Sequence, residues 1–289
     1  MTYIRNPSRE FETIQIRSSV AARCLSVLAI AIAAPTAHAQ DKIPFPAARM
    51  IIEYNASARD IGVQFFLDAE EWRYVKIIDP DGNVVFDASA KGRLLTQGGG
   101  TELFLESVEP ELGGDTTLTD FFETFPGGMY RFRGTTPEGD QLWGNVRFTH
   151  VIPAGPEITL PVPVEDGCTA NVPIPAVIAW NDVTTTIKGQ PLEVDRYEVI
   201  VETDNEDANF DVHLPVGSAT SVTVPSEFLE PGRDYVFEVL AVEAGGNQTS
   251  ARVASRPAGI DPRRAGYVQR RLAHYRAASR CLNPPTTLA

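Results

Sequence analysis

The sequence predicts an all-β protein built from two β-sandwich-like domains, with a short helix in the first. The 289 residues include 22 Gly and 22 Pro, enough turn-forming residues to join many short strands. Apolar and polar residues alternate in several segments, which is typical of strands with one buried face. Hydrophobic residues make up 43% of the chain, so each half can form a packed core.

The first element is an N-terminal secretory signal over residues 1–39. Arg17 and Arg23 precede a short apolar run at 25–34, and Ala37-His38-Ala39 provides the small residues that a signal peptidase accepts. We expect cleavage after Ala39, with an uncleaved, membrane-anchored form as the weaker alternative. The apolar run is too short to span a bilayer stably, and no later stretch is long and apolar enough to do so. The expected location is the periplasm, the cell surface or the extracellular space, without a transmembrane segment after cleavage.

The first domain, 40–152, is predicted from alternating segments separated by turns. The expected strands are 50–55, 61–67, 72–78, 83–88, 101–107, 129–135 and 142–149. A short helix is expected over 118–125, where Leu118, Phe121, Phe122 and Phe125 share one face.

Two features of this domain allow a functional and a structural interpretation. Asp79 and Asp81 resemble the start of a calcium loop, but the further ligands that such a loop needs do not follow, so a hairpin turn is expected. Trp72, Tyr74 and Trp143 could stack on sugar rings, although aromatic residues in strands more often belong to the core.

A proline-containing junction at 150–156 separates this half from a second domain over 156–256. Strands are expected at 176–180, 195–202, 221–224 and 235–241, and a last strand near 250–255 follows a turn at 245–247. The segment 229–235 reads Leu-Glu-Pro-Gly-Arg-Asp-Tyr.

These motifs, in this order, resemble the fibronectin type III family over about 100 residues. The resemblance implies an immunoglobulin-like sandwich with no inherent catalytic site. It implies structural roles for five residues: Trp180 and Tyr197 in the core, Leu229 as a plug at one end, Pro231 in a turn, and Tyr235 as the tyrosine corner. One departure from the pattern is the long, proline-rich stretch at 163–175. The first half also resembles the N-terminal region of uncharacterised secreted bacterial proteins that carry such domains.

The last segment, 257–289, is expected to form a basic tail outside the sandwich. It carries six Arg and no acid after residue 261. Removal of the signal leaves Cys168 and Cys281 as the two cysteines, and an exported chain favours a disulfide between them. Free thiols or an intermolecular bridge remain open, as do a disordered tail and a basic arm for anionic envelope polymers.

The charge distribution excludes some partners. The net charge is −13, of which +2 and +6 belong to residues 1–39 and 262–289, so the stretch 40–261 carries −21. Such an acidic body repels nucleic acid and anionic lipid.

No motif for catalysis, a metal or a cofactor is apparent, and an enzyme is not expected. The sequence therefore predicts a non-catalytic binding, scaffolding or adhesion module of the cell envelope, whose partner is a protein or a glycan. The alternative is a carbohydrate-active hydrolase or its accessory binding subunit. An acidic cleft beside exposed Trp72 and Trp143 would favour that alternative.

Overall fold

The computed structural model describes residues 41–162, 168–170, 172–203, 208–215, 220–230, 233 and 235–256. Within these ranges the chain forms sixteen strands and two short helices, which confirms the all-β class. Neither helix in this described part has the length and hydrophobicity to cross a membrane. The predicted signal segment and the basic tail lie outside the described residues.

The first half contributes eight strands and both helices. They are β1 (Lys42–Pro44), β2 (Ala47–Asn55), β3 (Asp60–Trp72), β4 (Tyr74–Ile78), β5 (Val84–Ser89), α1 (Gly92–Gln97), β6 (Gly100–Glu106), α2 (Leu118–Thr124), β7 (Gly128–Thr135) and β8 (Gln141–Phe148). The second half contributes the other strands. They are β9 (Ile158–Leu160), β10 (Cys168–Ala170), β11 (Ala176–Trp180), β12 (Val194–Thr203), β13 (Asn209–Pro215), β14 (Ser221–Val224), β15 (Tyr235–Glu243) and β16 (Gln248–Arg256).

Most of the predicted elements are present, with local corrections. The expected strand at 72–78 is two elements, because Trp72 ends β3, Arg73 interrupts the ladder and β4 begins at Tyr74. The predicted helix is α2, whose Thr117 and Asp120 form a capping box. Helix α1 was not expected, since it is short and contributes no buried residue.

The strands form three sheets. The five-stranded sheet has the order β1-β8-β7-β4-β5, and the three-stranded sheet has the order β14-β11-β9. The largest sheet has the order β13-β12-β15-β16-β2-β3-β6, with β10 beside β16. It therefore takes strands from both halves of the chain.

The two halves meet where β16 pairs with β2. The pairing is parallel, with Gln248 opposite Glu53 and Ser250 opposite Asn55. The sheet does not end at β16, the last strand of the second sandwich. It continues directly into the first sandwich.

Both hydrophobic cores lie on one side of this shared sheet. Register partners point to the same side of a sheet, and Tyr54, Thr249, Ala241 and Tyr197 form one such row across four strands. Tyr54 packs against the first core and Tyr197 belongs to the second. The five-stranded sheet covers the first core, and the three-stranded sheet covers the second.

The Asn247 side chain fixes this junction. It is buried, and its Oδ1 accepts a hydrogen bond of 2.8 Å from the Ile52 amide. Its Nδ2 donates to the carbonyl oxygens of Thr149, at 3.1 Å, and Val151, at 2.8 Å. One amide therefore ties the β15–β16 hairpin to β2 and to the connection between the halves. Gln40–Ala289 forms one compact unit with two cores. The division into two domains, 40–152 and 156–256, stays a prediction.

Candidate binding surfaces

Four of the five predicted structural residues lie in the second core. Trp180 is 3% exposed and Tyr235 is 1% exposed, and Tyr197 and Leu229 are also buried. The Trp180 and Tyr197 rings lie 5.3 Å apart. Pro231 and Cys281 lie outside the described residues, as does the side chain of Cys168, so the proposed disulfide stays a prediction.

The hydroxyl groups of the two core tyrosines bond to neighbouring loops. The Tyr235 hydroxyl accepts from the Glu230 amide at 2.7 Å and donates to the Phe228 carbonyl at 3.3 Å. The Tyr197 hydroxyl accepts from the Val183 amide and donates to an Asp182 carboxylate oxygen, both at 2.6 Å. These bonds satisfy groups that would otherwise be buried without partners.

The aromatic residues considered for sugar stacking divide between a surface and the core: the register places Tyr74 and Trp143 on the same outer face of the five-stranded sheet, whereas Trp72 does not lie there. Trp72 is 6% exposed and belongs to the first core, whereas Trp143 is 42% exposed on β8.

The Asp79 segment is the turn between β4 and β5. Both carboxylate oxygens of Asp79 accept hydrogen bonds from Asn83, at 2.7 and 2.9 Å, and Gly82 has a φ of 98°.

The outer face of the largest sheet, opposite to both cores, is acidic. The register places carboxylates from six strands on this face. They are Asp211 on β13, Glu198 and Glu202 on β12, Glu238 on β15, Glu53 on β2, Asp60 and Asp68 on β3, and Glu102 and Glu106 on β6. We call this surface the acidic face.

One carboxylate cluster of the acidic face lies in the first half. Ligand oxygens of Glu53, Glu106 and Glu109 lie within 4.8 Å of one another, and the Gln64 amide nitrogen donates to Glu53 and to Glu106. Burial, followed by the charges of Glu106, Asp60 and Glu53, raises the pKa of Glu109 to about 7. Burial also raises the pKa values of Glu53 and Asp60.

A second cluster lies in the other half of the same face. His213 Nδ1 is 3.4 Å from a Glu198 carboxylate oxygen, and His213 Nε2 is 3.6 Å from one of Asp211. Burial raises the pKa of Glu198, and the His213 charge opposes this shift. Both clusters contain donor atoms that divalent cations use. Neither cluster is predictable from the sequence alone, because the members of each come from different parts of the chain and share no local spacing.

The outer face of the five-stranded sheet is basic. The register places five cations on it, Lys42, Lys76, Arg131, Arg133 and Arg147, together with the exposed Trp143. Within the described ranges, none of the five cations forms an ion pair with a carboxylate. We call this surface the basic face. The alternation of apolar and basic residues at 129–133 and 146–148 was the sequence signal for it.

No protein-family model and no curated protein matches the chain. Among solved structures, it is similar to a two-domain fibronectin type III segment of chicken tenascin, with 12% identity over 72% of this chain and 98% of that one, at a TM-score of 0.26. It is also similar to a tetra-tandem repeat in the extending region of a large adhesion protein, with 12% identity over 73% of this chain and 49% of that one, at a TM-score of 0.25. At these TM-scores the overlap does not bear on what this protein binds.

Proposed function

We propose that the protein is an exported, non-catalytic binding or scaffolding module of the cell envelope. The observation that carries this proposal is the shared sheet, which joins two sandwiches and leaves two broad sheet faces of opposite charge. Such broad sheet faces suit contact with a partner surface or an extended polymer. The Asn247 hydrogen bonds support a fixed arrangement of the halves, as a spacer or scaffold needs.

The alternative function, hydrolysis of sugar polymers, requires two carboxylates facing each other across a cleft beside aromatic residues. The acidic cluster around Glu53 belongs to the largest sheet, whereas Trp143 lies on the outer face of the five-stranded sheet. The first core separates these two faces. Trp72 is buried and unavailable to a sugar ring. This arrangement favours binding over hydrolysis.

Two measurements test the proposal. Fractionation and N-terminal sequencing should find the protein in the envelope with Gln40 as its first residue, and a full-length cytosolic chain would contradict export. A pulldown from envelope extract with the mature chain, Gln40–Ala289, as bait should retain a defined partner. Turnover of an envelope polymer by the purified chain, abolished by Glu53→Gln, would instead establish the hydrolase.

A further inference from the structure

The basic face concentrates cations in a body that is otherwise strongly acidic. Lys76, Arg133 and Trp143 form one register row across β4, β7 and β8, and Arg131 lies on the same face beside Asn145. Neighbouring strands lie about 4.8 Å apart, so this row spans about 10 Å. Asp87, opposite Lys76 on β5, is the acid that the register places on this face. Like charges on neighbouring strands destabilise a sheet unless an anion or another partner compensates them.

Arg133 is held in place at the centre of this row. Its Nη1 donates to the carbonyl oxygens of Phe132 and Gly144, both at 2.7 Å, and its Nη2 donates to Asn145 Oδ1 at 3.0 Å. These three bonds leave the Nε hydrogen and one Nη2 hydrogen for a ligand. Burial and the charge of Arg131 lower the pKa of Arg133, and a bound anion would relieve this unfavourable environment.

Trp143 supplies a different kind of contact beside Arg133. It is 42% exposed and directly opposite Arg133, so its ring is available as an apolar surface. A sugar ring presents apolar C–H groups that pack against such a ring, and a sugar acid adds a carboxylate that a guanidinium binds with charge-assisted hydrogen bonds. The combination fits a polymer whose units carry both a ring and a carboxylate.

The charge density distinguishes this ligand from other polyanions. Duplex nucleic acid carries one charge about every 1.7 Å along its axis and would meet the field of a body whose net charge is −21. An anionic membrane surface would meet the same repulsion. A polysaccharide with one carboxylate per ring has a lower charge density and gains stacking energy at Trp143.

From these contacts we propose that the basic face is a binding site for an acidic polysaccharide, with Trp143 stacking on a sugar ring and Arg131, Arg133 and Arg147 binding its carboxylates. The inference rests on the proposed function, because it specifies the ligand class of the binding module.

Binding of polygalacturonate to the mature chain tests the inference, with uncharged dextran as the comparison ligand. We expect Trp143→Ala and the double variant Arg131→Gln/Arg147→Gln each to weaken binding about ten-fold, as expected for the loss of stacking or of charge-assisted hydrogen bonds. The matched control is Lys91→Gln/Arg93→Gln, which removes the same charge from exposed residues at the start of α1 and should change affinity less than about two-fold. Unchanged urea unfolding of each variant shows that the fold is intact.

Several outcomes would overturn the inference. One is equal weakening by the control variant, which would indicate a general charge effect. Others are equal affinity for dextran, or tighter binding of duplex DNA or of phosphatidylglycerol vesicles than of polygalacturonate. Failure to bind any of these polymers, while the pulldown still captures an envelope protein, would reject the inference and leave the proposed function standing.

Discussion

Two buried tyrosines differ in what their hydroxyl groups contact. The Tyr130 side chain is 0% exposed, and its hydroxyl has no hydrogen-bond partner within the described part of the chain. Burial, with the charges of Asp79 and Asp81, raises the pKa of Tyr130 to about 12. The Tyr235 hydroxyl, by contrast, makes two hydrogen bonds.

The two tyrosine-to-phenylalanine variants should therefore behave differently. Tyr130→Phe is expected to leave the free energy of unfolding unchanged or to raise it by up to about 1 kcal/mol, because it removes a buried group without a partner. Tyr235→Phe should lower it by about 1–2 kcal/mol, because the Glu230 amide loses its acceptor. Urea unfolding of both variants measures the contrast. An equal loss in the two would show that the Tyr130 hydroxyl has a partner, such as a buried water.

Glu109 makes stability depend on pH. Its pKa is about 7 in the folded chain against an ordinary value of 4.5, so the folded state binds the proton more tightly than the unfolded state. The stabilisation is complete below about pH 4.5 and is lost as the pH rises through about 7. Because the Glu109 carboxyl is only partly buried and the residue as a whole is accessible to solvent, which screens its charge, we expect a loss of about 1 kcal/mol or less. Glu109→Gln should flatten the unfolding free energy between pH 5 and pH 8, with Glu102→Gln as the exposed control; an unchanged slope would contradict this assignment.

At the scale of elements, most strands were predicted from the alternation of apolar and polar residues along the chain. This alternation predicted the ends of β7 and β8 to within one residue, because one face of each strand is buried and the other faces solvent. For β15 it was correct but incomplete: Tyr235 and Phe237 face the second core, and Glu238, Leu240 and Val242 on the other face are buried too. No local pattern in the sequence indicates that this strand lies at the centre of a large sheet.

The acidic clusters were unpredictable for a related reason. Glu53 and Glu106 approach each other only because β2, β3 and β6 are neighbours in register, with Gln64 between them. Register between strands is set by tertiary pairing and not by local spacing. The basic face was easier to predict, because two of its Arg residues, Arg131 and Arg133, alternate with apolar residues along the single strand β7.

The β15–β16 hairpin depends on the Asn247 amide. Asn247→Ala is expected to lower the free energy of unfolding by about 2–4 kcal/mol, since it leaves the buried Ile52 amide without a partner and removes the hydrogen bond to the part-buried Val151 carbonyl. Urea unfolding measures the loss, and Gln190→Ala, at an exposed turn, is the control. A loss below about 1 kcal/mol would show that water replaces the side chain.

Trp180 lies on β11 of the three-stranded sheet and belongs to the second core. Its truncation therefore tests how this sheet packs onto that core. Trp180→Ala should lower the free energy of unfolding of the mature chain by about 3–5 kcal/mol, because truncating a buried aromatic leaves a cavity. The exposed Trp143→Ala is the matched control and should cost much less. A Trp180→Ala unfolding curve superimposable on the wild type would refute the placement of this residue in the core.

At the scale of the whole molecule, the basic tail is predicted to be tethered by a Cys168–Cys281 disulfide. Strand β10, which begins at Cys168, pairs in parallel with the end of β16, so the Cys168 backbone lies opposite Ala254, two residues before β16 ends at Arg256. Such a bridge closes a loop of more than 100 residues and should stabilise the fold by roughly 4–5 kcal/mol in the chain-entropy model. Non-reducing mass spectrometry of the exported protein should find one intramolecular bridge. Two free thiols, or only a disulfide-linked dimer, would contradict the prediction.

The parallel pairing of β2 with β16 also constrains the order in which the protein can mature. Glu53 and its partner Gln248 are 195 residues apart, so β2 is synthesised long before the strand with which it pairs. Until then one hydrogen-bonding edge of β2 stays open and can pair with another chain. A chain with such distant contacts folds slowly, and its incompletely folded state is prone to aggregation. Truncation anywhere before residue 248 would therefore damage the N-terminal sandwich as well as the C-terminal one.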